Sequence, residues 1–134
     1  MNAPLKIGLI GLDTSHVIGF AEEFNDSASK NYIPGAQIVA GFSGGSPDME
    51  LSISRVEGYT KTLRDKYSVE IVDSPEAVAE KVDAILLTTV DGRLHREQFS
   101  RIIDAGKPVF IDKPFAVSSE DAKAMASMAQ EKKI

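Results

Sequence analysis

Short apolar runs alternate with segments of helical spacing along the whole chain, and that alternation constrains the fold more than any other feature. Leu5–Ile10 is apolar on both faces, which suits a strand buried inside a parallel sheet. The same reading predicts strands at Gln37–Phe42, Val69–Val72, Ala84–Thr88 and Val109–Ile111. Between them, Val17, Phe20, Ala21 and Phe24 share one face of a helix over His16–Asn25, and a second helix covers about Val56–Tyr67. Ser74-Pro75-Glu76 reads as an N-cap, a first-turn proline and a first-turn acid, opening a helix to about Lys81. Leu94–Ala105 is helical and is stopped by Gly106. Ser118–Lys132 closes the chain, with Ser118 and Asp121 as a capping box that has Asp in place of Glu. Ser43–Asp48 reads as a flexible loop. Parallel neighbours need crossover connections, so this order predicts an α/β fold: an open Rossmann-type sheet, helices on both faces, strand order 3-2-1-4-5.

The chain has 134 residues, which fits one domain. It has no cysteine, which excludes disulfides, a thiol nucleophile and thiolate metal sites, and no metal site is expected. A net charge of −5 with scattered basic residues argues against a nucleic-acid surface. No apolar stretch is long enough to span a bilayer, and the start reads as a core strand with no signal peptide, which makes the cytoplasm the expected compartment.

In an open parallel sheet, ligands bind beyond the carboxyl ends of the strands. The first turn, Gly11 to His16, places a tight glycine turn before a helix N-terminus, the arrangement that receives a phosphate. Counted without gaps, however, Asp13 and His16 stand where a dinucleotide fingerprint has its second and third glycines. A carboxylate about 4 Å from a phosphate costs about 1 kcal/mol in water and about 4 kcal/mol at an effective dielectric of about 20. Asp13 either faces the ligand or caps the helix, and in both cases it weakens phosphate binding. Ser43 follows the second strand where an acid for the ribose hydroxyls is expected. Thr88 ends the fourth strand and Thr89 and His95 follow it, and Asp112-Lys113-Pro114 follows the fifth. Lys113 has the charge to act as an acid or electrostatic donor at a carbonyl or alcohol oxygen.

Taken together, these segments resemble the N-terminal half of the Gfo/Idh/MocA oxidoreductases. The most specific stretch is His95, the helix to Ala105, then Gly106-Lys107-Pro108-Val109-Phe110-Ile111-Asp112-Lys113-Pro114, with Asp112 where the family has Glu. Lys6-Ile7-Gly8-Leu9-Ile10-Gly11 is similar to the family's first strand. The resemblance implies NAD or NADP as cofactor, a sugar- or polyol-like substrate, and Lys113 in the catalytic neighbourhood. Gly11, Asp13, Thr14, Ser15 and His16 would line the phosphate end, Ser43 the ribose, and Thr88, Thr89, His95, Asp112 and Pro114 the rest of the ligand. A shortened loop, with His16 matching a histidine early in the family's first helix, is a second alignment that the sequence leaves open.

Family members continue into a second α+β domain, and this chain ends at Ile134, where a sixth strand is expected to begin. The expected function is therefore the cofactor-binding part of an NAD(P)-dependent oxidoreductase, inactive by itself, binding dinucleotides weakly and self-associating through apolar surface near the last helix. The alternative is a Rossmann-like module that binds a ligand or partner without hydride transfer, or serves assembly alone.

Overall fold

A computed structural model describes residues 3–134. Five parallel strands form one sheet in the order β3-β2-β1-β4-β5: β1 Leu5–Ile10, β2 Ala36–Phe42, β3 Glu70–Val72, β4 Ala84–Leu87 and β5 Val109–Ile111. The order and the parallel pairing are those expected from the alternation. The helices are α1 His16–Asn25, α2 Glu50–Ile53, α3 Val56–Tyr67, α4 Pro75–Lys81, α5 His95–Ile102 and α6 Ser119–Lys132. Single 3₁₀ turns flank α5, at Gly92–Leu94 and Ile103–Ala105.

Both faces of the sheet are buried, as the apolar run Ile7–Ile10 of β1 requires. On one face Ile7, Leu9, Ile38 and Val69 pack against Val17 and Ala21 of α1 and Leu63 and Tyr67 of α3. On the other, Ile10, Ala40, Ile85 and Leu87 meet Val78 of α4, Phe99 and Ile102 of α5 and Met125 of α6. A Cβ at Gly8 would lie 2.3 Å from Val78 Cγ1, so this glycine lets α4 lie directly on the central strand.

The caps follow the local sequence. Ser74 Oγ accepts the Ala77 N–H with Pro75 behind it, and Ser118 Oγ accepts the Asp121 N–H. The Asp121 carboxylate instead receives Arg96 Nη1 at 2.8 Å, so half of the capping box gives way to an ion pair with α5. Two expectations change. Strand β4 ends at Leu87, and Thr88 leaves the ladder to bond Gly11 O with its hydroxyl. Ser43–Asp48 is loop, as expected, but Ser46 within it is buried, and the short helix α2, which was not expected, follows it before α3.

Candidate functional site

The strand order reverses at β1, so the ends of β1 and β4 define the crevice where such sheets take ligands. Gly11 closes β1 with φ +90°, and a Cβ there would lie 2.2 Å from Thr89 Oγ1 and 2.4 Å from Thr89 Cα. Only glycine allows β1 to turn this close to the β4 loop. Gly11 and Leu12 donate their N–H groups to Phe42 O and Ser43 O, which extends the β1–β2 pairing into the turn. Thr14 Oγ1 accepts the His16 N–H, and Ser15, at the N-cap position of α1, makes no side-chain cap bond.

Asp13 takes neither orientation expected for it. Its carboxylate is fully buried, accepting the Val90 N–H on Oδ1 at 3.0 Å and the Ser52 hydroxyl on Oδ2 at 2.7 Å. Arg55 Nη2 donates to the Asp13 carbonyl at 2.7 Å. The carboxylate therefore neither caps α1 nor meets solvent at the phosphate end. Ser52 and Arg55 belong to the segment after β2, which crosses the end of β1. Gly44 passes over Gly11, with only 3.7 Å between its ideal Cβ position and the Gly11 Cα. Farther on, Ser46 Oγ donates to Asp91 Oδ2 at 2.6 Å, and Ser46 N–H donates to Ser52 Oγ at 2.8 Å. Asp91 also accepts the Arg93 backbone N–H and its guanidinium, whose other edge holds Asp48. Hydrogen bonding from Arg93, opposed by burial, holds the Asp91 carboxyl at about 2.

At the β5 end, His16 Nδ1 lies 2.5 Å from Asp112 Oδ2, and Asp112 Oδ1 accepts the Lys113 N–H at 2.8 Å. The His16 side chain is 45% exposed and that of Asp112 13%. A carboxylate on Nδ1 selects the tautomer that leaves Nε2 as an acceptor, the pairing of a base with its orienting group. Lys113 is exposed beside them, and its peptide bond to Pro114 is cis. His16 and Asp112, separated by 96 residues, are thus one unit. His95 is placed differently. Its ring is fully buried, with Nε2 2.6 Å from Thr89 O and Nδ1 3.1 Å from Phe115 O, bracing the β4 turn against the turn after Lys113. Pro114 packs against Gly92, where a Cβ would lie 2.7 Å from its Cγ. Thr89 is buried and bonds Gln98 Oε1. Ser43 bonds Thr60 Oγ1 at 2.9 Å, at the mouth of an open pocket shared with Glu57, Lys61 and Arg64.

Sequence reasoning missed Ser46, Ser52, Arg55, Asp91 and Gln98. Hydroxyls, acids and arginines recur through Ser46-Pro47-Asp48, Ser52–Arg55 and Asp91-Gly92-Arg93, but other loops, such as Asp26–Ser29 and Ser118–Asp121, are as rich in polar residues, so composition alone did not single these out.

The profile of the oxidoreductase family with an NAD-binding Rossmann fold matches residues 5–134. The chain belongs to the Gfo/Idh/MocA oxidoreductase family. It is 33% identical over 90 residues to a 1,5-anhydro-D-fructose reductase of Ensifer adhaerens, an overlap of 66% of this chain and 27% of the reductase. Among solved structures, apo scyllo-inositol dehydrogenase from Lactobacillus casei superposes with TM-score 0.73 at 18% identity, over 97% of this chain and 34% of that one. An Agrobacterium radiobacter oxidoreductase in complex with NAD⁺, L-tartaric acid and magnesium gives TM-score 0.73 at 22% identity, over 98% and 34%. At these identities the structural likeness establishes the fold, and the chain spans about a third of the proteins it resembles.

The family's nicotinamide dinucleotide does not fit the crevice in this conformation. The path over Gly11, between the β1 and β4 loops, is filled by the segment after β2. Among the described residues no buried side-chain nitrogen or oxygen lacks a partner, so the buried network offers no unpartnered side chain to a ligand. The two ends are open: Ser43 with Thr60, Lys61 and Arg64, and His16 with Asp112 and Lys113. No helix among the described residues is long and apolar enough to cross a membrane, and no group of His, Asp and Glu suited to a metal occurs among them.

Proposed function

We propose that this chain is the nucleotide-binding domain of an NAD(P)-dependent oxidoreductase whose substrate is a sugar- or polyol-like alcohol, with the rest of the substrate pocket supplied by a second domain. The carrying observation is the corner formed by His16, Asp112 and Lys113 at the carboxyl end of the sheet. It holds a cation for a developing alkoxide in Lys113 and a proton acceptor in His16, oriented by Asp112. Membership of an oxidoreductase family supports the reaction class, and the reductase and dehydrogenase among its relatives support the alcohol or carbonyl substrate. Of the two cofactors, NADP is the better match: Ser43 replaces the ribose-binding acid, and Lys61 and Arg64 line the adjoining pocket.

The test joins this domain to a family second domain and follows nicotinamide absorbance across a panel of sugars and polyols. Turnover is expected, with Lys113→Ala lowering kcat by about a hundredfold or more. Turnover unchanged in Lys113→Ala removes that lysine from the chemistry. A non-catalytic Rossmann module is the second reading, and the filled crevice favours it; it is supported if the joined, folded protein shows neither turnover nor cofactor binding even when the segment after β2 is loosened by Ser52→Ala.

A further inference from the structure

We infer that residues 44–55 form a strap that occupies the dinucleotide crevice of its own domain, so that this chain admits a nicotinamide dinucleotide only with the strap swung out. The inference rests on the reading of the chain as a cofactor domain and goes further by naming what controls access to it.

The strap is fastened on both sides of the β1 end. Toward β1, Ser52 donates to the Asp13 carboxylate and Arg55 to the Asp13 carbonyl. Toward β4, Ser46 donates to Asp91, and Arg93 clamps Asp48 to Asp91. The two fastenings are joined by the bond from Ser46 N–H to Ser52 Oγ. Asp13, Ser46, Ser52 and Asp91 are all at most 3% exposed, so the strap removes the centre of the crevice from solvent. A loop that merely rested there would leave Asp13 solvated, or aimed at the α1 N-terminus; here it is the anchor. The substitution that contradicts the glycine fingerprint thereby acquires a role: its carboxylate receives a strap hydroxyl and the Val90 N–H where a glycine would leave open space.

Asp13, Ser46 and Ser52 therefore set cofactor affinity without touching the cofactor. Binding is weakened by the fraction of molecules whose strap is open. With the strap out, Gly11 and Asp13 are uncovered between the two ends that are already open. Loosening the latch raises the open fraction, and with it the apparent affinity.

The experiment measures NADH and NADPH binding by fluorescence and calorimetry for the wild-type chain, Ser52→Ala, Ser46→Ala and the conservative Asp13→Asn. Hydrogen exchange at the Ser46 and Val90 amides reports strap opening, and circular dichroism confirms that each variant is folded. The expected result is weak binding by the wild type, faster exchange at both amides in the serine variants, and about tenfold tighter dinucleotide binding in them. Tight wild-type binding with both amides still protected would overturn the strap while leaving the cofactor reading intact. Folded serine variants that exchange quickly and still bind neither dinucleotide would overturn the strap together with the cofactor reading.

Discussion

Asp91 shows how one buried residue ties the site to stability. It lies just beyond β4 with almost no exposed surface, and Ser46 and the Arg93 guanidinium saturate its carboxylate. Its folded-state pKa, depressed to about 2, means that its contribution is complete above the unfolded value and is lost as pH falls through the folded one. The shift corresponds to about 2 kcal/mol. Asp91→Asn is expected to lower the urea midpoint at neutral pH, and its gap from wild type should shrink as pH falls from about 4 to about 2. A gap constant across that range would show that the carboxylate charge contributes nothing. His95 makes the complementary point: a histidine beside the site, buried against two carbonyls, serves as a brace and does not face the crevice.

The elements were set by local chemistry wherever that chemistry is complete within a few residues. Helix α4 has only 7 residues, too few for stability of its own, so its cap matters. Ser74→Ala removes the acceptor for the Ala77 N–H and is expected to cost about 1 kcal/mol in chemical denaturation, whereas Ser74→Asp should restore most of it. No loss on Ser74→Ala would mean that packing of Val78 against β1 alone holds the helix. Helix α2 is the contrasting case. At 4 residues it has no stability without its surroundings, and it exists because Ser52 is buried against Asp13.

At the scale of the whole molecule, the proposed function assigns the carboxyl end of the sheet to one wall of a cleft. His16, Asp112 and Lys113 face solvent at one edge, and apolar side chains are exposed near it: Phe110 on β5, with Phe115 and Val117 beyond. Hydride transfer needs the alcohol carbon held against the nicotinamide within a fraction of an ångström, and one wall cannot provide that. This chain alone is expected to give no change in nicotinamide absorbance with any sugar or polyol at substrate concentrations that saturate a two-domain relative. Clear turnover by the chain alone, abolished by Lys113→Ala, would show that the single wall suffices.

The sequence by itself determined the strands and the caps of α4 and α6, because each depends on apolar periodicity or on a side chain within about four residues of the backbone group it satisfies, and the alternation of strand and helix carried the parallel order. It also marked Gly11 as the tight turn that ends β1, which its φ of +90° requires. Tertiary structure alone decided what the polar residues of the site do. Asp13 meets Ser52 across 39 residues, Ser46 meets Asp91 across 45, and His16 meets Asp112 across 96. A carboxylate or hydroxyl can satisfy its hydrogen bonds in many directions, and local sequence does not rank them. The choice falls to the folded sheet, which brings the β1, β2, β4 and β5 loops to one edge and makes an unpaired buried charge too costly to leave.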